Sequence, residues 1–119
     1  MNICSVWWKR VSKTTDLLGL LGLAARARAL VSGDDVCLSH IRAATARYVL
    51  IAQDAGANGA KKIRDKCTFY GIPFATVLTR DVLGRAIGKE ERTVVAITDE
   101  KFSKRIKEVV EQIVGGVDI

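Results

Sequence analysis

"RYVLIAQDAGANGAKKIRDKCTFYGIPFATVL", residues 47–78, sets the architecture of the chain. Residues 48–52 are continuously apolar and rich in strand formers, the pattern of a strand buried on both faces. The spacing then predicts a helix over about 58–70, with Gly71 suited to a left-handed C′ position and Pro73 barring continuation. Residues 74–78 are the next strand. A strand, a crossover helix and a second strand within about thirty residues is the βαβ unit of a parallel sheet.

The pattern continues in both directions. Downstream, Thr79 or Asp81 caps a short helix through Ile87, ended by Gly88, and residues 93–97 form a third apolar strand. Thr98, Asp99 and Glu100 open a last helix whose buried stripe is Phe102, Ile106, Val109, Val110 and Ile113, with Gly115 and Gly116 at its end. Upstream, a first helix is expected from about Thr14–Thr15–Asp16 to about Leu30, with Leu17, Leu20, Leu21, Ala24, Ala27 and Val31 on one stripe. Ser32 and Gly33 turn the chain into a second helix capped by Asp34 or Asp35 and running to about Ala44, with Cys37, Ile41 and Ala44 inward. Helices of this length alternating with strands give a three-layer α/β sandwich. Residues 16–119 form that single domain. Residues 1–15 read as a flexible extension, although Trp7 and Trp8 beside Lys9 and Arg10 are also a base-stacking pattern.

Charge narrows the partners. Nineteen Lys and Arg against 13 Asp and Glu leave a net charge of +6 in 119 residues, which raises the local concentration of polyanions, nucleic acid foremost. Cys4, Cys37 and Cys67 are odd in number and scattered, without a CxxC or a Cys/His cluster. That spacing speaks against a disulfide framework or zinc site and for a reducing, cytoplasmic setting. No run reaches the ~20 apolar residues of a membrane span.

Enzyme chemistry finds little support in the residues. "GANGAKK" at 56–62 lacks the four residues between glycines, and the Ser/Thr after lysine, that a phosphate loop requires. His40 is the single histidine and has no neighbouring nucleophile in sequence. Asp34 and Asp35 read as caps rather than metal ligands. No cofactor and no metal is expected.

Several segments together resemble a known family. "LGLAARA" (21–27), "LVSG" (30–33), "VLIAQDAG" (49–56), "KCTFYGIPF" (66–74) and "LGRAIGKEERTVVAITD" (83–99) are similar, in order and spacing, to bacterial YlxQ-type proteins. These belong to the wider superfamily of L7Ae- and L30e-type ribosomal proteins. The resemblance covers about residues 16–114. It implies an α-β-α sandwich with a small mixed central sheet and binding to kink-turn RNA, as a ribosomal or translation-associated protein that is monomeric when free. Of the family's RNA signature, Gly-x-Asn-Glu-x-x-Lys, Gly33 matches. Asp35 falls at the asparagine, Val36 at the glutamate and Ser39 at the lysine, a departure that removes a phosphate contact.

The resemblance thus implies an RNA site around Ser32, Gly33, Asp34, Asp35 and Ser39, joined by the loop 87–93. There Ile87 is expected to offer an apolar contact, with Gly88, Lys89, Arg92 and Thr93 supplying close approach and polar groups. Arg26, Arg28, Arg42, Lys61, Lys62 and Lys89 would supply the attraction to phosphate. For Arg26 and Arg28 a second reading stands, favourable placement at the negative end of a helix. Two rival functions stand beside RNA binding: a protein–protein adaptor on the same fold, and a small enzyme holding an anionic metabolite at the helix starts.

Overall fold

The computed structural model describes the backbone of residues 2–115 and the side chains of residues 13–113. Its elements are α1 (Asn2–Arg26), β1 (Leu30–Ser32), α2 (Asp34–Arg42), β2 (Tyr48–Ile51), α3 (Ala57–Tyr70), β3 (Phe74–Thr76), α4 (Arg80–Ala86), β4 (Val94–Ile97) and α5 (Glu100–Gly115). The four strands lie in the order β1-β4-β2-β3. β2 and β3 are parallel, as the crossover through α3 requires, and β4 runs antiparallel to both β1 and β2. The sheet is therefore small and mixed.

The continuous apolar runs of β2 and β4 are explained by layers on both faces. Tyr48, Leu50, Ala52, Val95 and Ile97 point into a core shared with Leu17, Leu21 and Ala24 of α1, Leu83 of α4, and Ile106 and Val110 of α5. Val49, Ile51, Val94 and Ala96 point the other way, against Cys37, Leu38 and Ile41 of α2 and Ala60, Ile63 and Cys67 of α3. Alternation along a strand sorts its residues between the two cores. Truncating one such buried leucine or isoleucine to alanine costs about 2–5 kcal/mol.

Three boundaries differ from the sequence reading. α1 starts at Asn2, well before the cap at Thr14–Asp16, and stops at Arg26 rather than near Leu30. Its end is a Schellman turn: the Arg28 amide donates to the Ala25 carbonyl (3.1 Å), the Ala29 amide to the Ala24 carbonyl (2.8 Å), and Arg28 takes φ 57°. Buried Ala29 and Ala24 share the core beneath this turn. The freed residues pair as β1, with Leu30 opposite Ile97, so Val31 belongs to a strand and Ala27 is exposed. α2 ends at Arg42; Ala44 lies beyond it at φ 60°, exposed, and the inward residues are Cys37, Leu38 and Ile41. The α3 C-cap is as the sequence predicts, with Gly71 at φ 70°. Trp7 and Trp8 lie outside the residues whose side chains are described.

Candidate nucleic-acid interface

One end of the sheet gathers the end of β1, the start of α2, the β2–α3 turn and the α4–β4 loop. Gly33 joins the first two at φ 100°, ψ 147°, a backbone region that glycine alone occupies without strain. Its amide donates to the Val94 carbonyl at 3.2 Å, which anchors the turn to β4. As the N-cap of α2 it provides no side-chain acceptor, so no side chain caps the first-turn amides.

The two acids that follow are not equivalent. Asp34 Oδ1 accepts a 2.8 Å hydrogen bond from the Thr93 hydroxyl and so ties α2 to the base of β4. Asp35 is exposed and makes no hydrogen bond or ion pair among the described residues. Beside them Arg92 Nε donates to Ser32 Oγ at 3.2 Å, and its Nη1 to the Glu91 carbonyl at 2.9 Å. Arg80 is held by Asp54 (3.7 Å) and Glu91 (3.8 Å), and its backbone amide donates to Asp54 Oδ1 at 2.8 Å. Ser32, Gly33, Asp34, Arg80, Arg92 and Thr93 line an open cavity of about 330 Å³. A smaller one, about 140 Å³, lies between Asp34, Thr93, Gly56 and Ala60.

A larger open groove of about 900 Å³ runs from this corner between α1, β1 and the α4–β4 turn. Its apolar lining includes Leu23 and Val36, 56% and 47% exposed. Arg26, Arg85 and Lys89 supply its positive charge. Arg85 is paired to Asp81 at 3.4 Å, whereas Arg26 and Lys89 enter no ion pair among the described residues.

Most of the sequence-predicted residues converge here. Arg26, Ser32, Ile87, Gly88 and Lys89 line the groove, Ser32, Gly33, Asp34, Arg92 and Thr93 the adjoining cavity, and Asp35 is exposed on the first turn of α2 without lining either. Ile87 departs from expectation: it is 8% exposed and packs in the main core, so only its edge reaches the groove. Arg42 ends α2, about 12 Å along the helix from Asp34, and lines none of these cavities. Arg28 precedes β1, at the opposite end of that strand from Ser32, and lines none either. Ser39, Lys61 and Lys62 are exposed on α2 and α3, outside the cavities.

Arg80, Glu91 and Asp54 were not singled out by the sequence, because nothing local marks a network joined only through tertiary contacts. Gly84 was missed too. A Cβ there would stand 1.9 Å from the Glu90 carbonyl oxygen, so the loop that carries Lys89 and Arg92 lies directly on α4.

The reactive groups are placed where they do no chemistry. Cys37 lies under the start of α2, its thiol 3.6 Å and 3.7 Å from the Val31 and Val94 carbonyls, and burial pushes its pKa up to about 12. Burial likewise raises Cys67 to about 11. Thiols so shifted are poor nucleophiles. His40 shares a 2.7 Å hydrogen bond with Thr45 at the far end of α2. Among the described residues no three His, Cys, Asp or Glu side chains converge to hold a metal, and no helix is long and apolar enough to cross a membrane.

The pattern that defines the Ribosomal protein L7Ae/L30e/S12e/Gadd45 family matches residues 15–107. The chain is 53% identical to the RNA-binding protein YlxQ of Bacillus subtilis (strain 168) over 87 residues, 73% of this chain and 87% of that protein. It is 36% identical to the RNA-binding protein YlxQ of Enterococcus faecium over 94 residues, 79% of this chain and 90% of that one. A solved structure of a protein of unknown function from Bacillus halodurans superimposes with a TM-score of 0.77 at 41% identity, covering 80% of this chain and 96% of that chain. The Giardia lamblia 15.5kD RNA binding protein shares the fold, with a TM-score of 0.74 at 22% identity, covering 88% and 90%.

Proposed function

The chain belongs to the Ribosomal protein L7Ae/L30e/S12e/Gadd45 family, and from that premise and the geometry of the Gly33 corner we propose a non-catalytic RNA-binding protein that recognises a kink-turn-like fold. Its setting would be the ribosome or another translational RNA in the cytoplasm. The observation that carries this reading is the Gly33 turn itself. A glycine-only backbone opens a helix whose first-turn amides no side chain caps, with an unpaired Asp35, and the adjoining groove carries unpaired Arg26 and Lys89.

Each part has a role in such recognition. A sharply bent RNA exposes base edges and is read by shape as much as by sequence. Gly33 lets the backbone approach closely, and the amides that follow can donate to phosphate or base acceptors. A carboxylate repels phosphate but accepts from guanine N–H groups, so Asp35 would contribute discrimination and the cations attraction. Asp34 serves the frame: bound to Thr93, it holds the α2 start against the loop that carries Arg92. Ser39 stands where the family signature has lysine, and Arg26 and Lys89 across the groove offer charge in its place.

The test is a titration against a kink-turn RNA and a straight duplex of equal length, at several salt concentrations. A marked preference for the kink, reduced in Asp35→Ala, is the expected outcome. Equal and steeply salt-dependent affinity for both would reduce the site to a generic basic surface. Binding to neither RNA would leave the adaptor reading.

A further inference from the structure

The outer face of α3 carries an uncommon combination. Lys62, Lys66 and Phe69 follow one another at i, i+4 and i+7, so they form one stripe; exposed Lys61 and Asp65 lie to one side of it, and Arg64 is on the far side of the helix. None of these four cations enters an ion pair among the described residues. Phe69 is 78% exposed and Tyr70 40%, and their rings meet edge to face, centroids 4.9 Å apart at 82°. The buried side of the helix is Ala60, Ile63 and Cys67, so the aromatic pair contributes nothing to that core. The helix also begins at the same corner: Gly56, Gly59 and Ala60 share a cavity with Asp34 and Thr93, Lys62 follows Gly59 by three residues, and Phe69 lies about 10 Å further along the helix from Lys62.

We propose that this stripe is a track for single-stranded RNA leaving the kink-turn site, with phosphates on Lys62 and Lys66 and a base stacked on Phe69. The proposal rests on the RNA reading of the adjoining site. Unpaired cations in a row match a phosphate backbone, and an exposed ring held by a second ring gives a base a flat, pre-oriented partner. Stacking of this kind tolerates any base, so the track adds affinity without adding sequence preference. An acidic protein segment would meet the same cations, but the continuity with the RNA corner favours a strand of the same RNA.

Five RNAs test it: a blunt kink-turn, the same RNA with about eight unpaired nucleotides on its 5′ or its 3′ end, within the site sizes of such platforms, a blunt straight duplex, and that duplex carrying the same tail. One tail is expected to raise affinity by about fivefold or more, the low end for base–aromatic stacking. Phe69→Ala removes that gain and leaves the blunt RNA unchanged, Phe69→Trp keeps it, and Phe69→Leu loses most of it. Thermal unfolding of the three variants checks that the fold is intact. Equal affinity for tailed and blunt RNA, or a gain that survives Phe69→Ala, overturns the proposal. A blunt kink-turn bound no better than the blunt duplex overturns the reading of the corner instead, and the tail on the duplex still decides the track.

Discussion

Gly84→Ala gives a test in which two effects of opposite sign compete. In an ordinary helix the change stabilises by about 1 kcal/mol, because alanine is the better helix former. Here the new methyl would meet the Glu90 carbonyl oxygen at 1.9 Å, its carbonyl carbon at 2.6 Å and the Glu91 Cα at 3.1 Å. Ordinary contact distances require the loop to withdraw by more than about 1 Å. The obstacle is backbone, so no rotamer relieves it. The loop is also tied back by the Lys89 amide on the Gly84 carbonyl (2.9 Å) and the Arg92 amide on the Arg80 carbonyl (3.2 Å). Overpacking of this kind costs up to about 3 kcal/mol. The net loss is then about 2 kcal/mol, a fall in Tm of about 8 °C for a domain of this size. Urea and thermal unfolding of Gly84→Ala measure it, with Gly19→Ala as the control. Nothing lies within 4 Å of a Cβ at Gly19, so that variant is expected to gain stability. A Gly84→Ala protein as stable as the parent, or more so, would refute the close approach and with it the placement of Lys89 and Arg92.

Arg28→Gly should raise stability by about 0.5–1 kcal/mol, since glycine relieves the left-handed backbone at φ 57° while adding some freedom to the unfolded chain. The salt dependence of RNA binding should stay as it is, whereas Arg26→Ala should flatten it; a flatter slope in Arg28→Gly would move that arginine into the interface. Alkaline pH should destabilise the fold. Cys37 (about 12) and Cys67 (about 11) stay protonated in the native state, while thiols of the unfolded chain release protons near 9.0. Burial, with the Glu111 charge, likewise raises Tyr48 from 10.0 to about 12. The unfolded state therefore binds fewer protons above pH 9, so the contribution is complete below it and is lost as pH rises from 9 through 12. A urea midpoint that holds steady between about pH 8 and 10.5 would contradict the buried placement of these groups.

What the sequence discloses follows from where each signal is written. β2 and β4 are legible because both faces of each are covered, which leaves an uninterrupted apolar run. α3 is legible because its stop is local, a glycine and a nearby proline. β1 is hidden, since Leu30 and Val31 extend the spacing of the α1 stripe and only the turn at Arg28, where the sequence has no glycine, ends the helix. The corner is half legible. Gly33 announces a turn, but the bond between Thr93 and Asp34 joins residues 59 apart and the pairing of Arg80 with Asp54 joins residues 26 apart. Ile87 looks like a loop residue only while α4 is drawn without its neighbours; buried in the cluster that α1, α4 and α5 share with the sheet, it is core.

The acids at the corner, awkward for a polyanionic partner, explain how charge is divided over the surface. Asp34 is engaged by Thr93, and Asp54 and Glu91 are engaged by Arg80, so these carboxylates hold the corner together. Asp35 remains unpaired and exposed on the first turn of α2. On the proposed reading these carboxylates would temper the attraction that Arg26 and Lys89 supply, and so disfavour a straight duplex of the same charge density. The unpaired cations of α3 lie outside the corner, where attraction costs no discrimination. On this view general affinity and selectivity would come largely from separate helices: α3 would draw the RNA in whatever its shape, and the Gly33 turn at the start of α2 would retain the RNA that bends.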